Sequence, residues 1–142
     1  MIALIKHVVS LILVSSVSVA IAGTKTEEIL SWPLQMTNAP SAWQLTQGDP
    51  NILVAIIDTG ADIDHPFLNE NIWVNPGEIG EDSAGRNKSK NGIDDDNNGF
   101  IDDVHGWNFV GNNNDLSDEH GHGTHVAGIV KSTAPNVRLM IL

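Results

Sequence analysis

The chain has 142 residues, 18 acidic against 7 basic side chains, a formal net charge of −11 and no cysteine. That length holds one domain at most. The acidic balance argues against nucleic acid or an anionic membrane surface as a partner and favours multivalent cations; the missing thiols exclude disulfides and thiolate zinc sites.

Residues 1–22, MIALIKHVVSLILVSSVSVAIA, read as a secretory signal peptide. Lys6 stands in a short front, and the apolar run behind it is too short and serine-rich for a comfortable membrane span. Ala20-Ile21-Ala22 gives the small-x-small cleavage pattern. The expectation is a secreted or periplasmic protein, with no membrane contact beyond the signal peptide. Losing Lys6 with that peptide takes the net charge of residues 23–142 to −12.

Pro40 is placed to open a short helix that Gly48 stops. ILVAIID (52–58) is a run of apolar, β-branched residues ending on an aspartate, the pattern of a strand buried on both faces in a parallel sheet. Residues 69–106 are polar and loop-like, and GWNFV (106–110) is a candidate short strand. HGTHVAGIVKS (122–132) carries small and apolar residues at helical spacing. Ala134-Pro135 breaks it, and VRLMIL (137–142) begins a second buried strand, one that an isolated fragment is expected to leave as an unpaired apolar edge. Strand, excursion, helix, strand is the order of an α/β fold.

Asp58 falls at the carboxyl end of the first strand, where reacting groups gather in such sheets; an aspartate there also caps turns. IIDTGA resembles the active-site segment of retroviral-type aspartic proteases, which would make Asp58 half of a shared-proton dyad. GRN (85–87) is similar to that family's second segment but stands much nearer Asp58 than the family places it. HGHGTHVAG (120–128) would then have no role.

Taken together, VAIIDTGADIDHP (54–66) and HGHGTHVAGI (120–129) resemble the Asp and His motifs of the subtilisin-like serine proteases, the subtilases. SWPLQMTNAPSAW (31–43) and APNVRLMIL (134–142) are similar to the flanking segments. The resemblance implies an α/β three-layer sandwich with a parallel sheet, incomplete in this chain. Residues 23–142 would be the N-terminal portion of the catalytic domain. It further implies a serine endopeptidase acting on polypeptide substrates, with Asp58 as triad aspartate and His122 as general base, and with no organic cofactor. At a helix start the neutral ring is favoured, and Asp58 would hold the tautomer that donates from Nδ1 and leaves Nε2 free. Gly121 and Gly123 would let backbone approach the ring closely. His125 is expected to be a helix residue beside the site and His120 a loop residue at its rim; a His120/His122 metal site lacks a completing zinc motif.

None of Ser31, Ser41, Ser83, Ser89, Ser117 or Ser132 follows Gly-Thr, the family's setting for its nucleophile. The oxyanion asparagine of the family would also fall past residue 142. The expectation is therefore a fragment inactive alone. Few residues separate Ala22 from SWPLQM, where subtilases usually carry a folding propeptide; either this member manages without one or the gene is rearranged. Phe67 occupies a position where many subtilisins carry a calcium-binding aspartate.

The acidic stretch at about 91–105, NGIDDDNNGFIDDVH, matches the start of an EF-hand-type loop. Asp94, Asp96 and Asn98 take ligand positions 1, 3 and 5, with Gly99 at 6, the Phe100 carbonyl at 7 and Asp102 at 9. Position 12 is His105 rather than glutamate, and Asp103 is a candidate substitute. Calcium is the expected ion; a solvated acidic loop is the plainer reading. A non-catalytic, secreted calcium-binding module is thus the alternative to the protease.

Overall fold

A computed structural model describes residues 32–142; the signal-peptide reading of 1–22 lies outside them. Two short helices come first, α1 (Trp32–Met36) and α2 (Ala39–Ala42). Strand β1 (Leu53–Ile56) follows, then a long excursion, helix α3 (His122–Thr133) and strand β2 (Arg138–Ile141). Pro40 sits in the first turn of α2, where its missing N–H costs nothing. The chain turns on to Thr46, and Trp43 Nε1 donates to the Thr133 carbonyl at 2.8 Å, pinning this segment to the end of α3.

β1 and β2 pair in parallel, Leu53 opposite Arg138 through Ile56 opposite Ile141. This is an α/β unit, and α3 is the crossover that parallel strands require. The face of α3 carrying Gly123 and Ala127 is buried, with Val126 and Val130 packed beside it. It rests on a core of Ile56, Leu68, Ile72, Leu139 and Ile141. Leu139 and Ile141 are fully buried. Among the described residues no helix is long and apolar enough to cross a membrane.

Three local expectations change. GWNFV does not form a strand. Gly106 makes a single bridge to Ile141, Asn108 turns back to pair with Asn113, and Phe109 and Val110 at the tip are exposed. VRLMIL is not an open edge. The excursion folds along β2, with Trp73 N donating to Leu139 O at 2.8 Å, Trp107 N to Ile141 O at 3.0 Å and Ile141 N to His105 O at 3.1 Å. The open edge is β1, and that strand is covered on one face only. Ile56 is buried, whereas Leu53 is 41% and Ile57 81% exposed, because α3 lies on a single side and the described residues place no layer on the other.

An open edge beside exposed Leu53 and Ile57 is a template for strand addition. Residues 32–142 in isolation are therefore expected to self-associate with rising concentration, and Ile57→Lys to shift them towards monomer. Sedimentation velocity across a concentration series checks this; a parent that stays monomeric throughout contradicts it.

Candidate active site and acidic loop

The two halves of the site are brought together by the β1–α3 packing. Asp58 follows β1, its amide donating to Leu142 O at 3.3 Å. His122 is the first residue of α3. His122 Nδ1 lies 2.7 Å from Asp58 Oδ1. A carboxylate only accepts, so Nδ1 carries the hydrogen and Nε2 is left as the free acceptor. The Asp58 side chain is 16% exposed and that of His122 58%, so the imidazole stands in the open with its partner behind it. The hydrogen bond from His122, aided by the Thr59 amide at 2.8 Å, holds the Asp58 carboxyl below its ordinary range. That electrostatic setting is the opposite of a two-carboxylate dyad sharing one proton.

The flanking glycines divide the work expected of both. Gly123 is the close-approach position: a Cβ there would collide with the Gly60 carbonyl oxygen and press on Asp58 Cβ. Gly121 has open space around it and is required for its backbone instead, with φ of 81° as the residue before the helix. The His120 ring lies edge-on to His122 with centroids 6.4 Å apart. The His125 amide continues the helix by donating to Gly121 O at 3.2 Å, and Phe67 lies under the Lys131 ammonium. Among the described residues no serine hydroxyl hydrogen-bonds to His122.

Sequence reasoning missed the residue that ties these parts together. Asp118 accepts hydrogen bonds from Thr59 Oγ1, from the amides of His120, Gly121 and Thr124, and from Thr124 Oγ1. Burial pushes its pKa upward, but the Thr124 hydroxyl and amide outweigh that, with the Thr59 hydroxyl and Gly121 amide behind them, so it stays far below the ordinary carboxylate range. The legible signal was an aspartate just ahead of a helix, but Gly121 and not Asp118 is the residue next to the first turn.

In the acidic loop the five candidate ligands separate. Asp96 lies in a cluster with Glu78 and Asp103, one carboxylate oxygen of each falling within 4.8 Å of the others. Asn98 Nδ2 donates to Asp96 at 3.3 Å and to Asp103 at 3.0 Å. The Asp94 carboxylate accepts the Asn98 and Gly99 amides. Asp102, at φ 53°, accepts those of Asn91 and Gly92. These two close the shoulders of the loop. The Phe100 ring packs against Trp107 at 5.1 Å.

Glu78 comes from the turn Asn75-Pro76-Gly77-Glu78, far upstream of the EF-hand spacing, which is why that template missed it. Glu78 is fully buried; Oε1 accepts the Asp95 and Asp96 amides at 2.7 and 3.2 Å, while Oε2 is buried with no partner. Burial raises the Glu78 pKa against the pull of those amides, and Asp96 and Asp103 raise it further. Asp103 is likewise raised by burial despite hydrogen bonds from Asn75 and Asn98. Gly77 makes room, since a Cβ there would meet Asp96 Oδ2 at 2.5 Å.

Fold and site together define an α/β protein presenting a carboxylate-oriented imidazole at the carboxyl end of a parallel strand. The model of the subtilase family matches residues 49–140. Subtilisin-like protease 1 of Plasmodium berghei (strain Anka) is 39% identical over 109 residues, covering 75% of this chain and 17% of that protein. Subtilisin-like protease 1 of Plasmodium vivax is 43% identical over 83 residues, 58% of this chain and 12% of its own length. A solved lanthipeptide protease shares 28% identity over 76% of this chain and 24% of its own, with a TM-score of 0.47. The chain belongs to the subtilase family, whose members are serine proteases, and it spans less than a fifth of the two Plasmodium relatives.

Proposed function

We propose that residues 23–142 are the N-terminal part of the catalytic domain of a secreted serine endopeptidase that cleaves polypeptides, entering secretion through the signal peptide at 1–22. The observation that carries this is the 2.7 Å bond from His122 Nδ1 to Asp58. With Nδ1–H committed to Asp58, Nε2 accepts the proton of a serine hydroxyl as its oxygen bonds to the scissile carbonyl carbon. The ionised Asp58 then faces an imidazolium, stabilising the charge where it develops. The same Nε2–H is next given to the leaving amine as the C–N bond breaks. The attacking serine and the oxyanion donor come from outside residues 32–142, so these residues alone hydrolyse nothing. The test is a chimera in which residues 49–140 replace the matching segment of an active subtilase: it hydrolyses a peptide anilide, and its His122→Ala form does not.

The acidic loop is read as a structural calcium site, on the strength of the orphaned Glu78 Oε2. A calcium ion with oxygens at about 2.3–2.6 Å spans opposite ligands by roughly 4.6–5.2 Å, which suits three carboxylates within 4.8 Å of one another. Glu78, Asp96 and Asp103 would hold the ion, and its charge would relieve their mutual repulsion. Its place is structural, joining the turn at 75–78 to the loop at 94–103; it takes no part in the proton transfers at His122.

A further inference from the structure

We propose that Asp118 is a positioning residue, clamping the loop that carries Asp58 against the helix start that carries His122. The inference rests on the Asp58–His122 reading above, and the controls below separate the two.

One oxygen of Asp118 bridges the two segments and the other binds the helix start. Oδ1 accepts from Thr59 Oγ1 at 2.8 Å, the residue directly after Asp58, and from Gly121 N at 2.8 Å, the residue directly before His122. His120 N adds a third bond to Oδ1 at 3.1 Å. Oδ2 accepts from Thr124 N at 2.8 Å and Thr124 Oγ1 at 2.6 Å, within the first turn of α3.

Each threonine hydroxyl has one proton, and both spend it on Asp118. Their lone pairs then point across the junction. Thr59 Oγ1 accepts Gly123 N at 3.1 Å, and Thr124 Oγ1 accepts Asp62 N at 2.9 Å. Strand-end loop and helix start are thus stitched in both directions, and both stitches take their polarity from one carboxylate.

Among the described residues no lysine or arginine forms an ion pair with Asp118. Its charge is met by the N–H groups of a helix start, the favourable end for an anion. An amide in its place would turn hydrogens towards donors. The hydrogen bonds of Asp118 go to Thr59, His120, Gly121 and Thr124 rather than to His122, so it acts through the segments on either side. The tolerance for such a pair is narrow: a misplacement of about 1 Å costs on the order of a hundredfold in rate.

The test reads imidazole nitrogens by ¹H–¹⁵N NMR on the full chain. His122 Nδ1–H, bonded to Asp58, gives a low-field proton slow to exchange with water. His105 Nδ1, 2.8 Å from Trp73 O, serves as an internal reference for the fold. Asp118→Asn is expected to abolish the His122 signal while that of His105 persists. Thr59→Val, which removes a single stitch, is expected to speed exchange of the His122 proton at least tenfold.

Retention of the parent His122 signal in both variants overturns the inference. So does loss of the His105 signal in both, which would make Asp118 a general element of the fold. Should Asp118→Asn alone fail to fold, an unchanged His122 signal in Thr59→Val is sufficient to overturn it. Asp58→Asn is the control for the pair itself: if the His122 signal survives that change, the reading of the pair fails and not the role of Asp118.

Discussion

In a chimera carrying residues 49–140 inside an active subtilase, His122→Ala is expected to lower kcat about a millionfold, and Asp58→Asn about ten-thousandfold. The first magnitude is the known cost of losing the histidine in subtilisin itself, a relative of this chain. The second follows from the tautomer. An asparagine amide placed at 2.7 Å from Nδ1 can donate to that nitrogen, driving the ring proton to Nε2, where a base must have none. KM should change little in either variant, because neither group is needed to hold the ground state of a peptide. Steady-state kinetics on a peptide anilide decide the matter, and a His122→Ala chimera with the kcat of its parent would contradict the assignment.

Glu78→Gln is expected to invert its effect on stability according to calcium. Glu78 is fully buried and its pKa is raised by burial and by Asp96 and Asp103. A carboxyl whose folded pKa lies above its unfolded value contributes stability at low pH that is lost as pH rises through the folded pKa. Without metal, then, the Glu78 carboxyl contributes less stability at neutral pH than at low pH. A glutamine keeps an oxygen for the Asp95 and Asp96 amides and turns an NH₂ towards the neighbouring carboxylates. In chelator at pH 7 the variant should therefore melt above the parent. Calcium at a hundred times its dissociation constant would stabilise the parent by about 2.7 kcal/mol, on the order of 10 °C in Tm. The variant should gain far less and melt below the parent. Scanning calorimetry with and without calcium checks this; a parent whose Tm ignores calcium removes the metal reading.

The elements that bear the site were legible because they follow from local pattern. β-branched residues at 52–57 gave β1, helical spacing of small residues gave α3, and Pro135 ended it. Asp58 and His122 each stand in a motif whose neighbours have few alternatives, and the structure brings their side chains to 2.7 Å of one another. What was not legible depends on how the excursion returns. Its path along β2 closed the edge expected to be open and left β1 bare, and no periodicity within VRLMIL encodes that. The same folding carries Glu78 and Asn75 to Asp96 and Asp103, residues no single spacing template spans. Asp118 was hidden for a different reason. Its partners are threonine hydroxyls and amides from two segments, which become a set only when β1 and α3 pack together.

Everything proposed for catalysis depends on one carboxylate and one imidazole sharing a hydrogen. The most direct measurement is the ¹H–¹⁵N spectrum of the His122 ring in the full chain and in Asp58→Asn. The expected result is a low-field, slowly exchanging Nδ1 proton in the parent that disappears in the variant. A parent without that proton, or a variant that keeps it, would show that Asp58 does not orient His122.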